Sequence, residues 1–145
     1  MQLMGQALTE ARKALEHDDV PVGAVVVVDG EVVAAAHNER ELRGDPTAHA
    51  EILAIRAAAE VVGSSRLDGA VLVSTLEPCP MCAGAALMAR IGRVVFGAED
   101  MKTGAVGSLY NIGADPRLNH EFDVKPRVRQ GECAELLQEF LAANR

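Results

Sequence analysis

The tightest constraint on this chain is a pair of short motifs: His49-Ala50-Glu51 and, 30 positions after the histidine, Cys79 within Pro78-Cys79-Pro80-Met81-Cys82. Each motif stands at a predicted helix start, with an apolar run between them. Cys79 and Cys82, three apart, lie on one face of a helix. The positive end of that helix favours the thiolate form that binds zinc. His49 and Glu51 are two positions apart and cannot share one side of a helix. Both can still reach an ion lying off the helix's N-terminal end. Two thiolates and one imidazole leave the fourth position of a tetrahedral zinc open to water, as in catalytic rather than structural sites. Zinc brings the pKa of such a water to roughly 7. A carboxylate near the metal but not bound to it, here Glu51, can take the water's proton and pass it on.

Taken singly, the motifs allow other readings. A C-x-x-C pair after a strand and at a helix start is also the setting of a thiol–disulfide oxidoreductase. A histidine on an Ala-rich helix is usually packed into a core. A non-enzymatic zinc module would need a fourth protein ligand, and the redox reading would need no metal. The conjunction of both motifs with the intervening strand selects zinc. Cys133 lies 51 positions beyond Cys82 with no motif around it and reads as a buried structural cysteine. His17, His37 and His120 have no partner at ligand spacing and are assigned surface or hydrogen-bonding roles.

The rest of the chain supplies the frame. Residues 2–17 repeat Leu3, Ala7, Leu8, Ala11 and Leu15 at helical spacing. Two β-branched runs, 20–28 and 31–36, flank Asp29-Gly30 and predict a hairpin. Residues 37–45 are polar and read as loop. Asp45-Pro46 predicts a cap and first turn of a helix reaching about Val62. Strands follow at 70–75 and 94–96, with a helix from about Cys79 to Arg90 between them. Residues 98–118 are Gly-rich and irregular, and a last helix runs from Cys133 to about Ala143. Alternating strands and helices imply an α/β sandwich around a mixed sheet. At 145 residues, with no repeat or linker, the expectation is a single domain over 1–145.

The formal charge of −7 argues against broad, non-specific binding to nucleic acid. Arg117, Lys125, Arg127 and Arg129 form a small cationic excess over Glu121 and Asp123. The charged N-terminal stretch has no apolar signal-type core, and no run of 18 apolar residues occurs. The expectation is a cytoplasmic chain with no membrane segment.

With these motifs in place, the chain resembles the bacterial tRNA-specific adenosine deaminases, within the cytidine and deoxycytidylate deaminase superfamily. The likeness rests on Val20-Pro-Val-Gly-Ala24, Asp45 to Ile52, Thr75 to Ala85, Val94 to Ala98, Lys102 to Ser108, Leu118-Asn-His120 and Glu132-Cys133. It implies a cytidine-deaminase-like three-layer α/β/α sandwich with a mixed five-stranded sheet, and a homodimer. It also implies one zinc per chain on His49, Cys79 and Cys82, with Glu51 as proton shuttle. The expected reaction is hydrolysis of adenosine to inosine at the wobble position of a tRNA anticodon stem-loop. By the same resemblance Asn38 recognises the extruded adenine, and Asp100 lies near the neighbouring ribose. A free base or nucleoside is the alternative substrate. Many relatives have a basic, aromatic-rich tail where this chain reads Phe140 to Arg145, and some have Arg where this chain has Glu99.

Overall fold

The computed structural model describes residues 2–144. A five-stranded mixed sheet forms its middle, built from β1 (Gly23–Val28), β2 (Glu31–His37), β3 (Val71–Leu76), β4 (Arg93–Ala98) and β5 (Asp123–Lys125). The order across the sheet is β2-β1-β3-β4-β5. β1 runs antiparallel to both β2 and β3, whereas β3, β4 and β5 are parallel. The hairpin turn falls where expected: Asp29 and Gly30 take φ of 50° and 79°, the left-handed pair that a two-residue turn needs.

Alternate residues of the strands point to opposite faces, so the sheet carries two cores. Ala24, Val26, Leu72, Val94 and Phe96 pack with α3 (Ala50–Val62) and α4 (Pro80–Met88) through Ala54, Ile55, Ala83 and Ala86. Val25 and Val73 pack on the other face with α1 (Leu3–Lys13) and α5 (Gln130–Ala143) through Met4, Leu8 and Cys133. This is the expected three-layer α/β/α architecture. The helix faces are rich in alanine, which lets their backbones approach the sheet closely. Cys133 is 1% exposed, and burial first of all pushes its thiol up to about 11, as fits a packing cysteine.

Four local expectations need correction. The helix expected from Asp45-Pro46 begins at Ala50 instead. Asp45 closes a turn of its own, accepting the backbone N–H and the hydroxyl of Thr47, both at 2.8 Å. Its carboxylate is therefore spent before the helix starts. A short helix, α2 (Arg40–Arg43), interrupts the loop expected over 37–45. The last helix starts three residues earlier than expected, at Gln130. Finally, β5 has only three residues and joins the parallel edge beyond β4, a pairing that no local periodicity announces. The irregular character of 98–118 holds, apart from a single bridge between Val106 and Asn111 and a 3-10 turn at Ile112–Ala114.

Candidate active site

Two helix starts meet at the carboxyl end of β3. His49 is the N-cap of α3 and Cys79 the N-cap of α4; both have extended backbones, with ψ of 150° and 174°. At these positions a side chain projects beyond the helix end, towards its unsatisfied N–H groups. The delayed start of α3 is what puts His49 there and leaves Glu51 in the first turn.

His49 Nδ1 lies 3.7 Å from Cys79 Sγ and 3.5 Å from Cys82 Sγ. A tetrahedral zinc with Zn–S near 2.3 Å and Zn–N near 2.0–2.1 Å sets sulfur and nitrogen about 3.6 Å apart. One donor atom of each residue lies within 4.8 Å of the other two. The donor set and its spacing therefore fit a zinc-type ion with one position open. Cys133, buried against α1 and the other face of the sheet, is not part of this group.

The electrostatics suit that role. The Cys79 thiol is pulled down to about 4, first by its hydrogen bond with Cys82 and then by His49. Cys82, fully buried, is pushed up by the same pairing and by desolvation. Glu51 is 4% exposed, and burial raises its carboxyl to about 7 against the opposing pull of His49. A carboxyl poised there can accept and return a proton at neutral pH.

The group opens into a cavity of about 260 Å³ bounded by Val20, Val22, Asn38, Arg40, His49, Glu51, Leu76, Glu77, Cys79, Asp100 and Thr103. Asn38 is 7% exposed, and its Oδ1 accepts the Ala50 N–H at 2.8 Å. That bond caps α3 and leaves the Asn38 amide N–H groups free to donate. Asp100 reaches the cavity too, but its carboxylate accepts the N–H groups of Lys102 and Thr103 at 3.0 and 3.1 Å and the Thr103 hydroxyl at 2.7 Å. It organises its own turn.

One residue of the wall was missed as a functional position. Glu77, between β3 and α4, is 1% exposed. It accepts the backbone N–H of Asp100 at 3.1 Å, of Val106 at 3.1 Å and of Ser108 at 3.0 Å, and the Ser108 hydroxyl as well. A Cβ on Gly104 would stand 2.4 Å from the Glu77 carboxyl carbon, so only glycine fits there. Glu77 thus anchors the irregular loop over the cavity. Its only sequence signal is a carboxylate wedged between an apolar strand and Pro78.

Three of the four cations in the 117–129 excess are engaged within the chain. Arg117 pairs with Asp115 at 2.6 Å, Arg127 with Glu99 at 3.3 Å, and Arg129 with Glu132 at 2.7 Å. Lys102 is exposed and in no ion pair among the described residues.

A family model described as MafB19-like deaminase matches residues 1–145. A tRNA-specific adenosine deaminase of Bacillus subtilis (strain 168) is 48% identical over 137 residues, covering 94% of this chain and 85% of that protein. The chain belongs to this deaminase family. The deaminase architecture carries through to solved structures. One, from studies of A-to-I editing by tRNA:A34 deaminases at the wobble position of transfer RNA, superposes with a TM-score of 0.89. It is 49% identical and covers 93% of this chain and 98% of its own. A guanine deaminase from Nitrosomonas europaea has a TM-score of 0.79 at 26% identity, covering 97% of this chain and 83% of its own. The fold is therefore common to deaminases of different purines, and sequence identity sides with the tRNA branch.

Proposed function

We propose that this deaminase is a zinc-dependent hydrolase converting adenosine to inosine at the wobble position of a tRNA anticodon. The observation that carries the reading is the placement of His49 Nδ1 at zinc-site distances from both cysteine sulfurs, with the buried Glu51 carboxyl opening on the same cavity. It occurs in a chain about half identical to tRNA adenosine deaminases over nearly its whole length.

Held by His49, Cys79 and Cys82, zinc would supply water acidified to a pKa of about 7 as the nucleophile. Glu51 does the proton work: it takes one proton of the water and delivers it to the adenine ring, then takes the second from the hydroxyl added at C6 and gives it to the departing amine. The water oxygen ends as the 6-keto group of hypoxanthine, and ammonia leaves. Asn38 holds the extruded base through its free amide donors while its oxygen stays on Ala50. Asp100 stands near the neighbouring ribose and shapes the turn that meets it. The N–H groups that Glu77 fixes keep that turn over the cavity.

Deamination alone does not require RNA, so preference for a stem-loop must come from contacts outside the cavity. Arg40, exposed on the cavity wall, and Lys102, beside Asp100 and Thr103, are the cations at the site's mouth, and Arg117, Arg127 and Arg129 would have to exchange their carboxylate partners for phosphates. Exposed Met88, Met101, Leu109 and Tyr110 give apolar surface suited to a homodimer contact. No helix among the described residues is long and apolar enough to cross a membrane, and a tRNA substrate places the work in the cytoplasm.

The test compares an anticodon stem-loop with free adenosine and free purine bases, following inosine and ammonia at two salt concentrations. The stem-loop should react far faster. With few free cations, its binding should lose affinity with salt at a log–log slope of about −2 or shallower, at roughly −0.7 per phosphate contact. Equal turnover of free nucleoside or base without salt dependence would assign the chain to small-molecule substrates instead.

A further inference from the structure

The fold brings together two histidines with no metal-site spacing in the sequence. His17 ends the 3-10 turn after α1, and His37 ends β2. Their ring centroids are 5.4 Å apart. Each ring is oriented by a carboxylate at Nδ1. Asp19 Oδ2 is 2.6 Å from His17 Nδ1, and Glu10 Oε1 is 3.0 Å from His37 Nδ1. Such a bond draws the proton to Nδ1 and leaves Nε2 with its lone pair, the usual preparation of a histidine for a metal.

Neither Nε2 atom is committed among the described residues to a group outside the cluster. His17 Nε2 is buried and has no hydrogen-bond partner among the described residues. A buried polar nitrogen in that condition calls for a missing partner. His37 Nε2 lies 3.4 Å from Glu39 Oε2. Zinc bonds near 2.0–2.1 Å would set a nitrogen and an oxygen ligand about 3.4 Å apart. One donor atom from each of His17, His37 and Glu39 lies within 4.8 Å of the other two.

We propose that His17, His37 and Glu39 form a second metal site, distinct from His49, Cys79 and Cys82, for a divalent transition-metal ion of the zinc type. Two imidazoles and one carboxylate suit zinc, cobalt or iron rather than calcium or magnesium, which take oxygen ligands. The charge balance also favours a cation. Glu10, Asp19 and Glu39 supply three carboxylates, opposed by Lys13 on Glu10 at 2.8 Å and Arg43 on Glu39 at 2.5 Å. Arg43 occupies Glu39 Oε1 and leaves Oε2 toward the histidine.

The position gives the site a consequence. Asn38 stands between two of the ligands, and Asp19 accepts the N–H groups of Glu41 and Leu42 in α2 at 2.9 and 3.2 Å. An ion here would tie the turn after α1, the end of β2 and the corner carrying Asn38 into one unit. It acts as a clip on the wall of the cavity and touches no reacting atom.

The experiment titrates Co²⁺ into tag-free enzyme already loaded with one equivalent of Zn²⁺, with metal counted after gel filtration. One further equivalent should bind, giving visible ligand-field bands without the near-ultraviolet sulfur-to-cobalt charge transfer of a thiolate site. It should also raise Tm. In His17→Gln and His37→Gln the extra equivalent and its Tm increment should vanish, with the first zinc and the far-ultraviolet dichroism retained. No binding beyond the first equivalent would overturn the site. So would a thiolate charge-transfer band, or a second equivalent that persists in both variants.

Discussion

The side-chain carbonyl of Asn38 accepts the backbone N–H of Ala50 at 2.8 Å, joining the corner after β2 to the first turn of the helix that follows His49. The oxygen of this amide caps α3, and on the proposed reading its N–H groups hold the base. The two can be separated. Asn38→Asp keeps the acceptor and removes the donors, so fold and metal content should be unchanged while kcat/KM on a stem-loop falls. Loss of a buried polar contact on one side costs about 1–3 kcal/mol, roughly a 5- to 150-fold drop. Asn38→Ala should lose the same activity and some thermal stability besides, since α3 then lacks its cap. Unchanged kcat/KM in Asn38→Asp would confine this residue to capping.

Glu51 faces the cavity from a buried position with its carboxyl raised to about 7. Glu51→Gln preserves shape but cannot carry a proton. Turnover should fall by at least about 10²–10⁴-fold, the range for a general acid–base group. Zinc content should stay at one equivalent in the thiolate site, because the carboxylate is not among the three donors. Activity within about tenfold of the parent would remove Glu51 from the proton path.

Cys82 is the most deeply buried of the three donors. On the proposed reading Cys82→Ala removes one of three zinc ligands and leaves His49 and Cys79, which cannot close a tetrahedral site. The variant should lose the zinc of this site on dialysis against a mild chelator, as read by metal analysis, and lose thermal stability with it. Retention of that equivalent would show that the cysteine pair is not the metal-binding element.

Glu77 accepts four hydrogen bonds from the loop over the cavity while being almost wholly buried. Glu77→Gln turns an acceptor into a donor facing backbone N–H groups. Stability should drop by about 1–3 kcal/mol, measured by urea unfolding. The 98–109 segment should become the preferred site of limited proteolysis. If cleavage there and the unfolding midpoint both stay put, the loop is held by something else.

The His49, Cys79, Cys82 and Glu51 positions were legible in the amino-acid sequence because their chemistry is local. Each motif sits at a helix start, where cap geometry and the helix dipole dictate direction, and spacing of three or two residues then restricts what can meet. The hairpin was legible for the same reason: Asp29-Gly30 carries its own turn preference. What needed the tertiary structure was everything assembled from distant segments. The start of α3 moved from Pro46 to Ala50 because Asp45 satisfies Thr47 and Asn38 caps the helix from 12 positions away. The three residues of β5 become a strand only by pairing with β4. His17 and His37, 20 positions apart and without a partner at ligand spacing in the sequence, meet only because α1 lies along β1 and β2 in the folded sheet. Local motifs encode direction, but proximity between segments is set by how the two cores pack against the sheet.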